Sequence, residues 1–507
     1  MERTKIVDTK AGKIQGIIDE NIEIFKGIPY AERVVGDLRF KPSVPAKRFP
    51  GVFLATEYGP ICPQQIAGSK ELQNPPNPQS EPDCLNLNIW TPSTDQDKRP
   101  VMVWIHGGGL RGGSGRIYDG SSLVKRGNVV VVTINYRLNS LGFSFMPEIT
   151  CNVGLLDQIT ALKWVRDNIK NFGGDADNVT IFGESAGGWS VSTLLAMCEA
   201  KGLFHRVIAQ SGACHPESYR ASEGKEISER VISELGIQNG DIKALRKISA
   251  YELVNAESKV WLEKEAEEKS AWPFMAPPYI DGEYIPEHPL DLIRKGAAAE
   301  VDLLVGTNLN ESTTIIMEGS NFKEVSERGM HNWIKFIMES LGQNEDKVVS
   351  LINAYRETRE DEGSVSAQII IDAFKTDFDF HISAIRTAEA HSKQNSNTYM
   401  YLFTWVPPFM EGKFGAFHTA EIPFVLGMLD SPYWKLSSDP SEEAKKLSEK
   451  IMDSWIAFAR TGNPSHSGIP EWPKYDTEKR STMILGEEIK VVDDPYGKER
   501  NAWNGIM

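Results

Sequence analysis

A chain of 507 residues is long enough for a large buried core, and with 70 acidic against 55 basic side chains its formal net charge of −15 disfavours phosphate backbones and anionic bilayers as partners. Hydrophobic residues make up 40% and charged residues 25%, a balance that excludes disordered and fibrous classes. Reading from the N-terminus, Met-Glu-Arg-Thr-Lys-Ile-Val-Asp has no apolar stretch behind its charges and is not a secretory signal as it stands. Nowhere does the chain gather the roughly 20 apolar residues of a spanning helix. The expectation is a cytoplasmic protein without membrane span or nucleic-acid partner. Cys62, Cys84, Cys151, Cys198 and Cys214 are odd in number and sparse, with no CxxC pair and no Cys/His cluster at zinc spacing, so neither a disulfide scaffold nor a metal is predicted.

The proline-dense stretch from Asn74 to Pro82 reads as a loop. After it, Val101 to Ile105, Val129 to Ile134, Val179 to Phe182, Val207 to Ala209 and Leu303 to Val305 are short, continuous apolar runs of the kind buried on both faces in a parallel sheet. Between them, Leu155, Ile159, Leu162, Val165 and Ile169 recur at helical spacing. That alternation predicts an α/β fold, a central mostly parallel sheet flanked by helices. The charged, helically periodic stretches from Glu217 to Glu268 and from Phe322 to Asp361 read as helices inserted between strands, within insertions at about 217–295 and 320–395 that reach over the site. With no repeat and no long linker, residues 1–507 are expected to form one elaborated domain.

Gly183-Glu184-Ser185-Ala186-Gly187 follows an apolar strand and precedes a helical pattern at Trp189, Val191, Leu194 and Leu195. In that context G-x-S-x-G is a nucleophile elbow, a turn so sharp that the residues around the serine must be small. The backbone N–H of Ala186, at the helix N-terminus, would point to where an oxyanion forms. His106-Gly107-Gly108-Gly109 directly follows the Val101 to Ile105 strand. Glycines there let backbone N–H groups approach a ligand closely, and Leu110-Arg111-Gly112-Gly113 lacks the Lys-Ser/Thr ending of a phosphate-binding loop. A serine needs a base, and in this arrangement an acid and then a histidine follow it in the chain. Once His205 is set aside as too near the serine's own helix, His215, His288, His331, His381, His391, His418 and His466 all remain, and pattern alone does not choose among them.

Ordered segments along nearly the whole chain resemble the type-B carboxylesterase family, which includes para-nitrobenzyl esterases and cholinesterases. They are Phe25 to Ala31, Leu38-Arg39-Phe40, Asp83 to Asn88, the His106 glycine run, Asn135-Tyr136-Arg137, Asn152 to Gln158, Phe182 to Gly188, Gly306-Thr307-Asn308 and Trp455 to Pro464. The resemblance implies an α/β-hydrolase fold and a triad of Ser185, Glu311 and His418, with oxyanion donors on Gly108, Gly109 and Ala186. It gives Ser211 and Glu184 supporting places beside the triad, and Leu110, Trp189 and Phe274 places in or near an apolar pocket. Either supporting serine or pocket residue reads equally well as plain core. Cys62 and Cys84 match a pair that is bridged in secreted relatives; here free thiols are expected.

The sequence departs from the family pattern at three places. Pro82 stands where a glutamate usually pairs with the arginine at Arg39, and Glu81 is expected to take that role. Thr419 and Ser312 replace glycines after His418 and Glu311. Cholinesterases carry a choline-stacking tryptophan where this chain has Asn74, so no choline preference is expected. The implied reaction is hydrolysis of short-to-medium acyl esters, small uncharged molecules, through an acyl-enzyme without metal or organic cofactor. The same triad also serves amidases, lactonases and carbamate hydrolases, and adhesion proteins use the scaffold without the nucleophile. Whether the chain is monomer or dimer stays open.

Overall fold

Val101, Val103 and Ile105 point to one side of a strand, and Met102 and Trp104 to the other; all five are fully buried, because a layer of helices lies on each face of the sheet they belong to. The computed structural model describes residues 2–65, 78–146, 148–268, 278–313, 325–360 and 365–507. Twelve strands form the large sheet: β1 (Glu2–Arg3), β2 (Ile17–Asp19), β3 (Ile22–Pro29), β4 (Asn86–Thr91), β5 (Arg99–Ile105), β6 (Val130–Ile134), β7 (Gly174–Glu184), β8 (Arg206–Gln210), β9 (Asp302–Asn308), β10 (Thr398–Phe403), β11 (Ser481–Leu485) and β12 (Lys490–Asp493). Their order is β1-β2-β3-β4-β6-β5-β7-β8-β9-β10-β11-β12.

From β6 to β11 every neighbour is parallel. The expected strands all fall in this block. β1 to β4 and the last strand pair antiparallel. The β5–β6 crossing, out of chain order beside β7, puts the C-terminal ends of β5 and β7 next to each other, where a doubly wound sheet binds ligands.

The predicted helix is α1 (Val153–Asn168), buried along most of its length. It is followed by α2 (Ala186–Leu194), whose side chains are all buried. The first insertion supplies helices that include α3 (Ala250–Glu268). The second supplies Glu327–Ser340, Glu345–Glu360 and α4 (Ala367–Thr376), which runs on through a π-helical turn at Asp377–His381.

Glu81 does take the place expected of it. Arg39 Nε donates to Glu81 Oε1 at 2.6 Å, with side chains 6% and 10% exposed, and Arg39 Nη1 also donates to the carbonyls of Leu245, Arg246 and Ile248. Asp83 is drawn to Arg33 on the surface instead. Deeper in, Arg137 and Asp157 form a fully buried pair with two side-chain hydrogen bonds of 2.7 Å, joining the Asn135-Tyr136-Arg137 segment to α1. Cys62 and Cys84 are buried free thiols. No helix among the described residues is long and apolar enough to cross a membrane.

Candidate active site

β7 ends at Glu184 and α2 begins at Ala186, leaving Ser185 alone to reverse the chain. Its backbone sits at φ 57°, ψ −124°, a conformation a non-glycine residue holds only when its surroundings force it. Two glycines make the turn possible. A Cβ on Gly183 would lie 2.4 Å from the Ile105 carbonyl oxygen, and one on Gly187 would lie 2.0 Å from it. Ser185 N–H donates to the Gln210 carbonyl at 2.9 Å, and the Ser185 carbonyl accepts from Trp189 at 2.9 Å, which fixes the turn at both ends.

The His106 glycine run leaves β5 and folds against this turn. A side chain at Gly107 would strike the Glu184 carbonyl at 2.6 Å. Gly108 and Gly109 have φ of 107° and 63°, and Gly108 packs so close to Gly112 that a Cβ would lie 2.3 Å from its carbonyl oxygen. Two residues with no evident role in the sequence hold the loop. Tyr136 stacks on His106 at 4.5 Å and donates its hydroxyl hydrogen to the His106 carbonyl at 2.7 Å. The Gln64 carboxamide pairs with both backbone groups of Gly113, at 2.7 and 2.9 Å. Burial lowers the pKa of His106 to about 4, so it is neutral.

Of the seven histidines left open by pattern, His418 is the one that shares a cavity wall with Ser185. Its Nδ1 lies 2.7 Å from Glu311 Oε2, and Glu311 Oε1 accepts from Asn308 N–H at 2.7 Å. The loops carrying Glu311 and His418 are themselves joined by a β-bridge between Asn310 and Phe417. His418 Nε2 lies 3.2 Å from Glu184 Oε1, without the alignment of a hydrogen bond. Among the described residues Ser185 Oγ makes no hydrogen bond. Burial opposes a charge on His418, but Glu184, Glu311 and Glu421 outweigh it and raise its pKa to about 9. Burial drives Glu184 the other way, well above the usual carboxylate range, helped by Glu421 and Glu311. Glu421, the last residue of the Phe417-His418-Thr419-Ala420-Glu421 segment, is buried and accepts from Asn308 Nδ2 at 2.7 Å and Gln210 Nε2 at 3.1 Å.

Ser185, His418, Glu184, Gly107, Gly108 and Gly109 share the wall of one cavity of about 830 Å³. α3 forms its outer wall through Val254, Glu257, Trp261 and Leu262, so the first insertion does reach over the serine. Leu262, Tyr433 and Leu436 stand at 65%, 45% and 48% exposure, giving the cavity an apolar rim. Leu110, expected in the pocket, is turned away from it. With φ 56° its carbonyl accepts from Asn139 N–H at 2.7 Å, and its side chain is buried in the core. Trp189 is buried on α2 and is not in the described wall. Phe274 and Asn74 lie outside the described residues.

The supporting serine differs from expectation. Ser211 is fully buried at φ 46°; among the described residues its Oγ has no hydrogen-bond partner, and its N–H donates to the Gly306 carbonyl. The two departures near the acid and base have physical consequences. Thr419 adopts φ 75°, the left-handed region that glycine enters freely and a β-branched residue does not. Ser312 Oγ donates to Asp379 Oδ2 at 3.2 Å, and Phe380, the next residue, lies against the His418 ring at 4.7 Å. Neither Asp379 nor Phe380 carries a sequence signal, since both lie on an insertion far from every motif. Among the described residues no group of three or more His, Cys, Asp or Glu side chains could hold a metal ion.

Residues 3–503 match the model of the carboxylesterase family. The chain is 38% identical over 506 residues to the para-nitrobenzyl esterase of Bacillus subtilis (strain 168), covering 98% of each. Among solved structures, a thermophilic PNB esterase superposes with a TM-score of 0.84 at 37% identity, covering 98% of this chain and 99% of that one. The Geobacillus stearothermophilus carboxylesterase EST55 at pH 6.2 gives 0.85 at 34% identity with the same coverage.

Proposed function

Because the chain belongs to the carboxylesterase family it is a serine carboxylic-ester hydrolase with the α/β-hydrolase fold, and we propose that Ser185, His418 and Glu311 carry out its reaction. The observation that carries the assignment is the 2.7 Å contact between His418 Nδ1 and Glu311, in a cavity whose wall also holds Ser185 on its strained turn.

Glu311 holds the Nδ1 proton and leaves Nε2 free as the base. Nε2 lies 3.2 Å from Glu184 Oε1, in the cavity wall that also holds Ser185. His418 then takes the Ser185 proton as Oγ bonds to the ester carbonyl carbon. The oxyanion is met by the N–H groups of Gly108, Gly109 and Ala186. As the intermediate collapses, the bond to the alcohol oxygen breaks, and His418 returns its proton to that oxygen. Water enters, gives a proton to His418 and attacks the acyl carbon. Collapse then releases the acid and returns the proton to Ser185. Each oxyanion donor removed typically lowers turnover by ~10²–10³-fold.

The apolar rim and the large cavity favour uncharged esters with short-to-medium acyl groups and no choline preference. Rates on p-nitrophenyl acetate, butyrate, octanoate and palmitate test this: kcat/KM should peak at butyrate or octanoate. A peak at palmitate, or a preference for butyrylcholine over butyl esters, would overturn it. Residues 1–507 are read as one elaborated domain, supported by a single large sheet whose two faces carry the two core clusters. A cytoplasmic location is supported by the free thiols at Cys62 and Cys84.

A further inference from the structure

Two buried aspartates on one continuous helical run grip the loop that carries Glu311. Asp372, on α4, accepts from Asn310 Nδ2 at 3.0 Å through Oδ2 and from Thr313 Oγ1 at 2.7 Å through Oδ1. Asp379, two turns further on in the π-helical turn, accepts from Ser312 Oγ at 3.2 Å and from Lys375 Nζ at 2.5 Å, both through Oδ2. Lys375 and Asp379 have side chains only 5% and 4% exposed, and among the described residues Asp379 Oδ1 has no hydrogen-bond partner. Residues 310, 312 and 313 are thus all tied to this run, and Glu311 is the residue between the ties. The same turn lays Phe380 against the imidazole of His418 at 4.7 Å.

A π-helical turn widens the backbone by one residue and re-aims the side chains around it. Here the result is that consecutive residues address the two partners of the triad: Asp379 holds the loop of the acid, and Phe380 backs the ring of the base. An ion pair this deeply buried adds little net stability, because the desolvation of both charges offsets their attraction. Its geometry therefore has a better explanation in what it holds than in what it stabilises.

We propose that Ser312, Asp379 and Lys375 form a positioning network for the triad, fixing Glu311 through the 310–313 loop and His418 through Phe380. The inference rests on Ser185, Glu311 and His418 being the triad. It concerns the placement of acid and base in the transition state, not the binding of substrate, so kcat carries the effect and KM does not.

The test uses the full-length enzyme with p-nitrophenyl butyrate, with active sites counted by a fluorophosphonate probe. Ser312→Ala removes one hydroxyl and leaves the ion pair intact. Lys375→Met/Asp379→Ala removes both charges together, so that no lone charge is left buried. Misplacement by a fraction of an ångström predicts kcat per titrated site lower by about 5- to 20-fold in each, with KM within about twofold. The paired variant should keep its melting temperature, which separates positioning from stability. A kcat within about twofold of the parent in Ser312→Ala, or in the paired variant should Ser312→Ala not fold, overturns the proposal. Ser185→Ala is run alongside: if it keeps activity, the triad assignment itself has failed, whereas an inactive Ser185→Ala beside an unaffected Ser312→Ala removes only the positioning network.

Discussion

Replacing Glu184 by Gln should move the pH dependence of catalysis to lower pH. Glu184 Oε1 lies 3.2 Å from His418 Nε2, inside a site where Glu311 and Glu421 also face the ring and Asp379 stands behind it. With Glu184 ionised, two unit charges at that separation interact by about 1.3 kcal/mol at the dielectric constant of water, equivalent to about one pKa unit, while burial works against that ionised form. The sign follows from the mechanism. Only neutral His418 can accept the Ser185 proton, so kcat/KM rises with pH as the imidazolium loses its proton, and its midpoint reports the free-enzyme pKa. In the parent that midpoint should lie near 9, above the ordinary 6.5 of an imidazole, because the surrounding carboxylates favour the charged ring. In Glu184→Gln it should fall by about one unit, because the carboxylate that favours the imidazolium is gone. Initial rates on ethyl butyrate from pH 5 to 10, followed by titration of the released acid, read both midpoints. A Glu184→Gln midpoint within about 0.3 unit of the parent, or above it, would refute the electrostatic account of the site.

Glu81→Ala should lower stability by about 3 kcal/mol, read as an earlier denaturant midpoint, because Arg39 would be left buried with only carbonyl partners; an unchanged midpoint would show that those carbonyls suffice. Thr419→Gly relieves a β-branched residue at φ 75°, and after the entropy lost to glycine it should raise stability by about 1 kcal/mol. A lower midpoint in that variant would mean that the Thr419 side chain contributes more by its contacts than its backbone strain costs.

Five strands of the parallel block, β5 to β9, were legible because strands buried on both faces read as apolar runs, Val101 to Ile105 the plainest case, whereas β10 and β11 were not read. The N-terminal antiparallel strands were not, since Ile17–Asp19 is short and both it and Ile22–Pro29 are partly exposed and mix apolar with charged side chains. The elbow and the glycine run carried their own mechanical reasons, and the contacts a Cβ would make at Gly183, Gly187 and Gly108 show why no other residue fits. The acid and base carried none. Nothing local marks Glu311 or His418 among the chain's carboxylates and histidines, and only resemblance to a family singled them out. For Leu110, core and pocket read equally well in the sequence; it is buried in the core between two residues of the cavity wall, Gly109 and Arg111. Asp379 and Phe380 stayed silent for a different reason: they act across a long sequence separation from a helix whose apolar pattern satisfies an ordinary core.

Ser185 is the proposed nucleophile, and its replacement by alanine probes that role. Ser185→Ala keeps the turn and removes only the hydroxyl. With p-nitrophenyl butyrate it should lose at least about 10⁴-fold in kcat and all labelling by a fluorophosphonate, at an unchanged melting temperature. Activity near that of the parent, in a folded Ser185→Ala protein, would contradict the assignment and the mechanism built on it.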